Sequence, residues 1–304
     1  MPQLIALTGA TGFLGRHLLH RLLADGHKVR ALARNPSALA EFCSPNLEVI
    51  KGDLTSDLSC WGQSADCVIH LAGLVKARNW DEFETVNIDG ARAVAVAAEK
   101  LSVPRVILMS SMTARAPQLS LYAKSKSLGE KAVTEVYSQE LAIIRAPAVF
   151  GPGDSATKPI FDLMGKGLLP TVGGKGWRHR SVAMVYVSDL VDDIVLRALR
   201  GDYDGTIVSP STIGAVSMPE FAEFGRQATG KSIRAFPIPL FLIFPIAAVT
   251  TITLRLCGWG HLSLGKLAEF RYERWQSNDR VTNPTPMQNA IGETMRSYDL
   301  LDTI

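Results

Sequence analysis

A chain of 304 residues that is 47% hydrophobic and 20% charged can bury a large core, which excludes intrinsic disorder and favours one main domain with a smaller lobe. The formal charge of +3, from 32 basic and 29 acidic side chains, gives no field for binding nucleic acid. Cys43, Cys60, Cys67 and Cys257 form no C-x-x-C pair and have no histidine at zinc spacing, so no metal site is expected; buried free thiols in a reducing, cytoplasmic compartment are.

Residues 1–8 form a short apolar run without the basic leader of a signal peptide, and Leu4–Thr8 reads as a first strand. A helix from Phe13 carries Leu14, Leu18 and Leu22 at helical spacing, and Gly26 supplies its stop. Strands are expected at 29–33, 47–51, 67–71, 105–110 and 141–145, with helices over 87–100 and after Tyr122. This alternation predicts an α/β, Rossmann-type, doubly wound parallel sheet. Beyond Gly151 the chain turns rich in Gly and Pro, then regains strand character at 184–187, a helix at 189–199 and a further strand at 205–209. From Pro210 it reads as mainly helical. Residues 1–150, continued by about 178–209, are expected to form the dinucleotide domain, and 151–304 mainly a smaller, interleaved substrate lobe.

One late segment departs from plain solubility. Residues 235–254 run for twenty positions without a charge, long enough to span a bilayer, but Pro237, Pro239 and Pro245 interrupt a continuous helix. An apolar loop and helix covering a pocket or forming an interface is expected, with contact to a membrane surface as the other reading.

The run from Thr8 to Gly15 reads T-G-A-T-G-F-L-G between the first strand and the first helix. Gly9 permits the tight turn, Gly12 lets backbone approach a pyrophosphate, and Gly15 allows helix to pack closely on sheet. The helix amino terminus, with Thr11, Phe13 and Leu14 around it, offers N–H groups and a positive dipole end to phosphate.

The TGxxGxxG spacing resembles the extended short-chain dehydrogenase/reductase family, over about the first 210 residues. Further matching motifs follow in order: Gly52-Asp53-Leu54, His70-Leu71-Ala72-Gly73, Asn87, Ser110-Ser111, Tyr122 with Lys126, Arg145-Ala146-Pro147, and Tyr186 to Leu190. The resemblance implies that Asp53 and Leu54 hold the adenine ring. It also implies that Leu71, Ala72 and Gly73 border the nicotinamide half, and that Pro147 and Val149 lie in a segment making main-chain contacts near it. A homodimer through the helices after the fourth and fifth strands is implied as well. His70 is expected to be a satisfied core histidine.

An acidic residue normally ends the second strand in NAD-binding proteins; Ala33 stands there, followed by Arg34. A guanidinium suits a 2′-phosphate, and residues 29–36 resemble the flavonoid-reductase-like members, so NADP is the expected cofactor with NAD as the alternative.

Tyr122 and Lys126 are four apart and share a helix face. A nearby ammonium brings the phenol toward the working pH range. Ser111, just past the fifth strand, can donate to a substrate oxygen, with Ser110 bracing the loop and Thr113 as a second hydroxyl. Ser111, Tyr122 and Lys126 are thus the expected catalytic group, moving a proton while hydride passes between nicotinamide and a carbonyl or alcohol carbon.

Nucleotide-sugar enzymes of this family usually carry an arginine where this chain has Val182, although Arg178, His179 and Arg180 lie near. That departure, with the apolar 182–185 and 235–254 segments, points to a fairly apolar small molecule, as in the 3β-hydroxysteroid dehydrogenases and dihydroflavonol reductases. The rival readings are a nucleotide-sugar epimerase or dehydratase with retained cofactor, and a non-catalytic NADPH-binding assembly subunit.

Overall fold

The computed structural model describes residues 1–200, 207–257 and 262–301, and the chain divides into two compact units. The first holds Met1–Arg145 and Val191–Val208, the second Ala146–Leu190 and Ser209–Ile304. In chain order the first unit contains β1 (Leu4–Thr8), α1 (Phe13–Ala24), β2 (Lys28–Ala33), β3 (Leu47–Lys51), α2 (Ser59–Gly62), β4 (Cys67–His70) and α3 (Trp80–Phe83). A π-helical stretch, Glu84–Asp89, then leads into α4 (Gly90–Lys100), β5 (Arg105–Ser111), α5 (Leu121–Thr134) and β6 (Glu140–Ala146). The second unit begins with β7 (Ala148–Phe150), α6 (Lys158–Gly165), β8 (Leu168–Val172) and β9 (Ser181–Tyr186). Helix α7 (Val187–Arg200) takes the chain back to the first unit and β10 (Ile207–Val208). The second unit is completed by β11 (Ile213–Ser217), α8 (Met218–Thr229), β12 (Arg234–Ile238), α9 (Leu240–Cys257), α10 (Leu264–Arg271) and α11 (Met287–Arg296).

The first unit is a seven-stranded parallel sheet in the order β10-β6-β5-β4-β1-β2-β3. The order reverses at β1, which lies between β4 and β2 with Thr8 in register with both His70 and Leu32. Such a reversal opens a crevice at the carboxyl ends of the strands, where ligands of open α/β sheets bind. All four residues of β4 are buried, as a central strand requires. One core of Trp61, Val68, Val94, Val106 and Leu108 fills a face of the sheet, and its polar edges are satisfied: Trp61 Nε1 donates to the Arg30 carbonyl at 2.9 Å, Tyr137 Oη to that of Val103 at 2.7 Å.

The helix expected at 87–100 begins earlier than its apolar periodicity indicates, because α3 and the π-helical stretch precede α4 in one run. Asn79 caps that run, its side chain accepting from the Glu82 N–H at 3.0 Å. Helix α5 packs against the π stretch so closely that a Cβ on Gly129 would lie 2.2 Å from the Asn87 carbonyl oxygen.

The second unit holds a three-stranded sheet, β11-β9-β7, and a two-stranded one, β12-β8. Residues 178–190, expected to return to the dinucleotide domain, belong instead to this unit. The reason is pairing: β9 bonds to β7 and to β11 here. The last third is less helical than expected, for β11 and β12 are strands. Pro237 fits within β12 because a two-stranded sheet consists only of edges. Of the expected strand at 205–209, 207–208 form β10 and 205–206 lie outside the described residues. Among the described residues no helix is long and apolar enough to cross a membrane. Cys43 and Cys60 are exposed, against the expectation of burial; Cys67, on the central strand, is buried, and burial pushes its thiol up to about 12, while the Cys257 side chain lies outside what the structure describes.

Gly129→Ala forces α5 off the Asn87 turn. It is expected to cost about 1–3 kcal/mol despite the better helix propensity of alanine. Urea denaturation measures this, and an unchanged midpoint would mean that the two helices separate freely.

Candidate active site

The turn after β1 depends on missing side chains. Gly9 has φ +76°, and a Cβ there would lie 2.6 Å from the Ala72 nitrogen. A Cβ on Gly15 would lie 2.1 Å from the Gly9 carbonyl oxygen. Gly12 caps α1 without any side-chain hydrogen bond, its own N–H donating to the Gly9 carbonyl at 3.0 Å. The first turn of α1 therefore carries N–H groups that no capping side chain fills, beside a backbone surface that Cβ atoms would obstruct. This cradle fits the pyrophosphate of a dinucleotide. Thr11 is exposed, and Phe13 and Leu14 are half-buried. Arg16, which the sequence pattern did not single out, donates to the Thr11 carbonyl at 3.3 Å and to that of Ala38 at 2.9 Å, and pairs with Glu41. It ties the glycine turn to the loop after β2.

That loop opens with Ala33 buried and Arg34 exposed. Asp53 is exposed after β3, and its carboxylate accepts from the Thr55 N–H at 2.9 Å and the Thr55 hydroxyl at 2.7 Å. These bonds, with lesser ones from Ser56, hold it below the usual carboxylate range. Leu54 is half-buried against the sheet core.

At the end of β4, His70 meets Thr8 side chain to side chain at 2.7 Å, and Thr8 Oγ1 also accepts from the Ala72 N–H at 3.3 Å. Burial, aided by the Lys126 charge, pushes His70 down to about 3. It is a neutral, satisfied core histidine. Leu71 and Ala72 are half-buried, while Gly73 is exposed and a Cβ on it would stand 3.2 Å from Asn87 Oδ1 and 3.7 Å from Lys126 Nζ.

Asn87 organises this corner from a buried position. Its Oδ1 accepts from the Leu74 N–H at 2.7 Å; its Nδ2 donates to the Leu74 carbonyl and to Ser125 Oγ, both at 2.9 Å. Ser125 in turn donates to the Tyr122 carbonyl at 2.8 Å. The amide thus links the loop after β4 to the first turns of α5, which Ser120 caps by accepting from the Ala123 N–H at 2.9 Å. On α5, Tyr122 is half-buried with its ring 6.2 Å from that of Phe83. One turn on, Lys126 Nζ donates to the Met109 carbonyl of β5 at 2.7 Å. Burial pushes this ammonium down to about 8, with Glu130 pulling the other way.

Ser111 closes β5 two residues after Met109. Its Oγ accepts from the Thr113 N–H at 3.2 Å and from the Thr113 hydroxyl at 3.0 Å, so its remaining capacity is to donate. Thr113 therefore supports Ser111. Ser110 points elsewhere, donating to buried Glu130, which also binds Arg145 through Nε at 2.9 Å and Nη2 at 2.6 Å. Ser125, Gly129 and Glu130 went unnoticed in the sequence, since small or acidic residues in a helix carry no signal without their neighbours. Pro147 and Val149 fall in the second unit: Pro147 is buried ahead of β7, and Val149 is half-buried within it, paired with Val185. Val182 lies there too, paired with Val216, and Arg180 Nη1 donates to the Val172 carbonyl at 3.1 Å.

A seven-stranded doubly wound sheet with a glycine cradle at its reversal point defines a dinucleotide-binding α/β protein. The profile of the NAD dependent epimerase/dehydratase family matches residues 5–207, and the chain belongs to that family. It is similar to a ceramide reductase of Caulobacter vibrioides, 42% identical over 194 residues, which is 63% of this chain and 59% of that relative. It also resembles a 3 beta-hydroxysteroid dehydrogenase/Delta 5-->4-isomerase of Mycobacterium tuberculosis, 27% identical over 75% of this chain and 70% of the other. Among solved structures, MoeE5 in complex with UDP-glucose and NAD shares the fold, with a TM-score of 0.70, 20% identity and 98% of each chain covered.

The Lys126 shift has a consequence for stability. The unfolded chain keeps this proton to the ordinary 10.5 and the folded one only to about 8, so between these values the unfolded state binds more protons and stability rises with pH. Compared with Lys126→Met, the wild-type protein should gain stability from pH 8 to 10.5 and keep a constant difference below pH 7. Parallel urea titrations measure this; a flat difference across the range would contradict it.

Proposed function

We propose that the chain moves hydride between a nicotinamide dinucleotide, NADP in preference to NAD, and the carbonyl or alcohol carbon of a fairly apolar small molecule. Ser111, Tyr122 and Lys126 are its catalytic group. The observation that carries the reading is a half-buried ammonium, lowered to about 8, one helical turn from a tyrosine and beside Gly73 at the sheet's ligand-binding edge. When bound, the nicotinamide supplies or accepts the hydride.

The remaining work falls to the protein. Gly9, Gly12 and Gly15 admit the pyrophosphate to the amino terminus of α1, with Thr11, Phe13 and Leu14 around it. Asp53 and Leu54 border the adenine; Leu71, Ala72 and Gly73 border the nicotinamide half. Lys126 lies one helical turn from Tyr122, where its charge can stabilise negative charge developing on the phenol oxygen. In reduction Tyr122 gives its proton to the substrate oxygen; in oxidation it takes the proton away. The Ser111 hydroxyl donates to the same oxygen and stabilises its developing charge. Two relatives named for a ceramide and for a hydroxysteroid, both apolar molecules, support an apolar substrate, as does Val182 at the position where the sugar-nucleotide members usually have arginine.

Tyr122→Phe should keep dinucleotide binding within about twofold while turnover falls by roughly 10²–10⁴-fold, the usual share of acid–base catalysis. Fluorescence titration and steady-state consumption of added NADPH with steroid, aliphatic and nucleotide-sugar carbonyls read the two separately. Near-full turnover by the variant would remove Tyr122 from the mechanism. Activity on nucleotide sugars alone, without net cofactor consumption, would favour an epimerase.

Arg34 is the proposed partner of the 2′-phosphate. Arg34→Ala should weaken NADPH by roughly tenfold or more and leave NADH nearly unchanged, the loss expected of one charge-assisted contact. Equal effects on both cofactors would rule that role out.

A further inference from the structure

Helix α9 is an unusual surface element. Its buried side is narrow: Ile243 and Ala247 are 6% and 0% exposed and pack with Leu267 of α10. The other side presents Phe241, Val249, Ile252 and Leu256 at 73%, 59%, 56% and 77% exposure. With Pro245, these fall at helical spacing on one continuous stripe, flanked by Leu242, Phe244 and Ile246. On α10, Leu264 and Phe270 extend the exposed apolar surface.

Two observations identify what covers this face. The first is charge. From Phe224 to Ala268 there is no Asp or Glu; Arg226 and Lys266 pair with Glu223 and Glu269 at the borders of that span, and Lys231, Arg234 and Arg255 add positive charge within it. Arg255 is exposed in the last turn of α9, where a long aliphatic stem can lie along an apolar surface and carry its charge outward. The second is the state of the helix's hydroxyls. Thr250 donates to the Ile246 carbonyl at 2.9 Å, Thr251 to that of Ala247 at 2.6 Å, and Thr253 to that of Thr250 at 3.1 Å. Thr250 also donates to the Leu262 carbonyl and Thr251 accepts from the Leu264 N–H at 2.9 Å, so these hydroxyls bond toward α10 and the stripe of Phe241, Val249, Ile252 and Leu256 is left wholly apolar, as contact with hydrocarbon demands.

We propose that the α9–α10 face of the second unit seats on the surface of an anionic lipid bilayer, its apolar stripe in the acyl boundary and its basic residues among the headgroups. The helix lies in the interface without spanning it. Such seating is independent of the reaction carried out in the first unit.

Vesicle flotation of the full chain tests this. Vesicles of phosphatidylcholine with a third of phosphatidylglycerol should carry the protein up the gradient, and pure phosphatidylcholine should carry less. Val249→Glu with Ile252→Glu changes two exposed positions; thermal melting and NADPH titration confirm that the variant is folded. It should lower vesicle affinity by roughly tenfold or more. Arg255→Gln should chiefly reduce the preference for the anionic vesicles. No flotation of the wild type on either vesicle, or equal flotation of the double variant, overturns the proposal. So does a wild-type dimer in light scattering that the double variant dissolves without any vesicle binding, because the face would then cover a second copy.

Discussion

The first unit depends on a close approach of backbone to backbone at the end of β1. Gly9 stands against the Ala72 nitrogen and Gly15 against the Gly9 carbonyl, at distances no side chain tolerates. Because both lack a Cβ, α1 begins directly at the sheet edge with its amino terminus uncapped, and the loops after β1 and β4 emerge together. A side chain at either place would separate them. The cradle at the reversal of strand order is therefore a consequence of steric allowance as much as of attraction.

A second layer of organisation radiates from Asn87. One buried amide fixes the loop after β4 by both its backbone groups and reaches α5 through Ser125. Gly129 lets α5 sit on the same turn of backbone. These contacts set the height of α5 against β5, and so bring Lys126 to the Met109 carbonyl. Below it, Glu130 joins Ser110 to Arg145, so strands β5 and β6 are tied to the helix carrying the tyrosine. A buried ion pair of this kind adds little net stability, but removing one partner leaves a charge stranded; its use here is positional. The Lys126 charge also helps to keep His70 neutral.

Much of this was legible in the residues. Leu4–Thr8 and Leu47–Lys51 form strands over the bounds their apolar runs indicate, although only β1 is a buried central strand; β3 lies at the sheet's edge with no residue fully buried. The glycine turn was equally plain, each glycine having a separate steric reason. What escaped was non-local. The π-helical stretch around Asn87 has the same periodicity signal as an ordinary helix, and Glu130 acquires meaning only once Arg145 is across from it. The second unit was hardest to read: β8 and β12 contain prolines and pair with each other alone, which propensity does not reveal. The apolar segment was visible in composition, yet only the structure separates its buried Ile243–Ala247 side from the exposed stripe.

The geometry of the bound dinucleotide tests the central claim most directly. A crystal structure with NADP should place the pyrophosphate at the amino terminus of α1 over Gly12, and the nicotinamide ribose within hydrogen-bond reach of Lys126 and Tyr122. Density for the dinucleotide elsewhere, with Lys126 still bound to Met109 and the glycine turn empty, would contradict it.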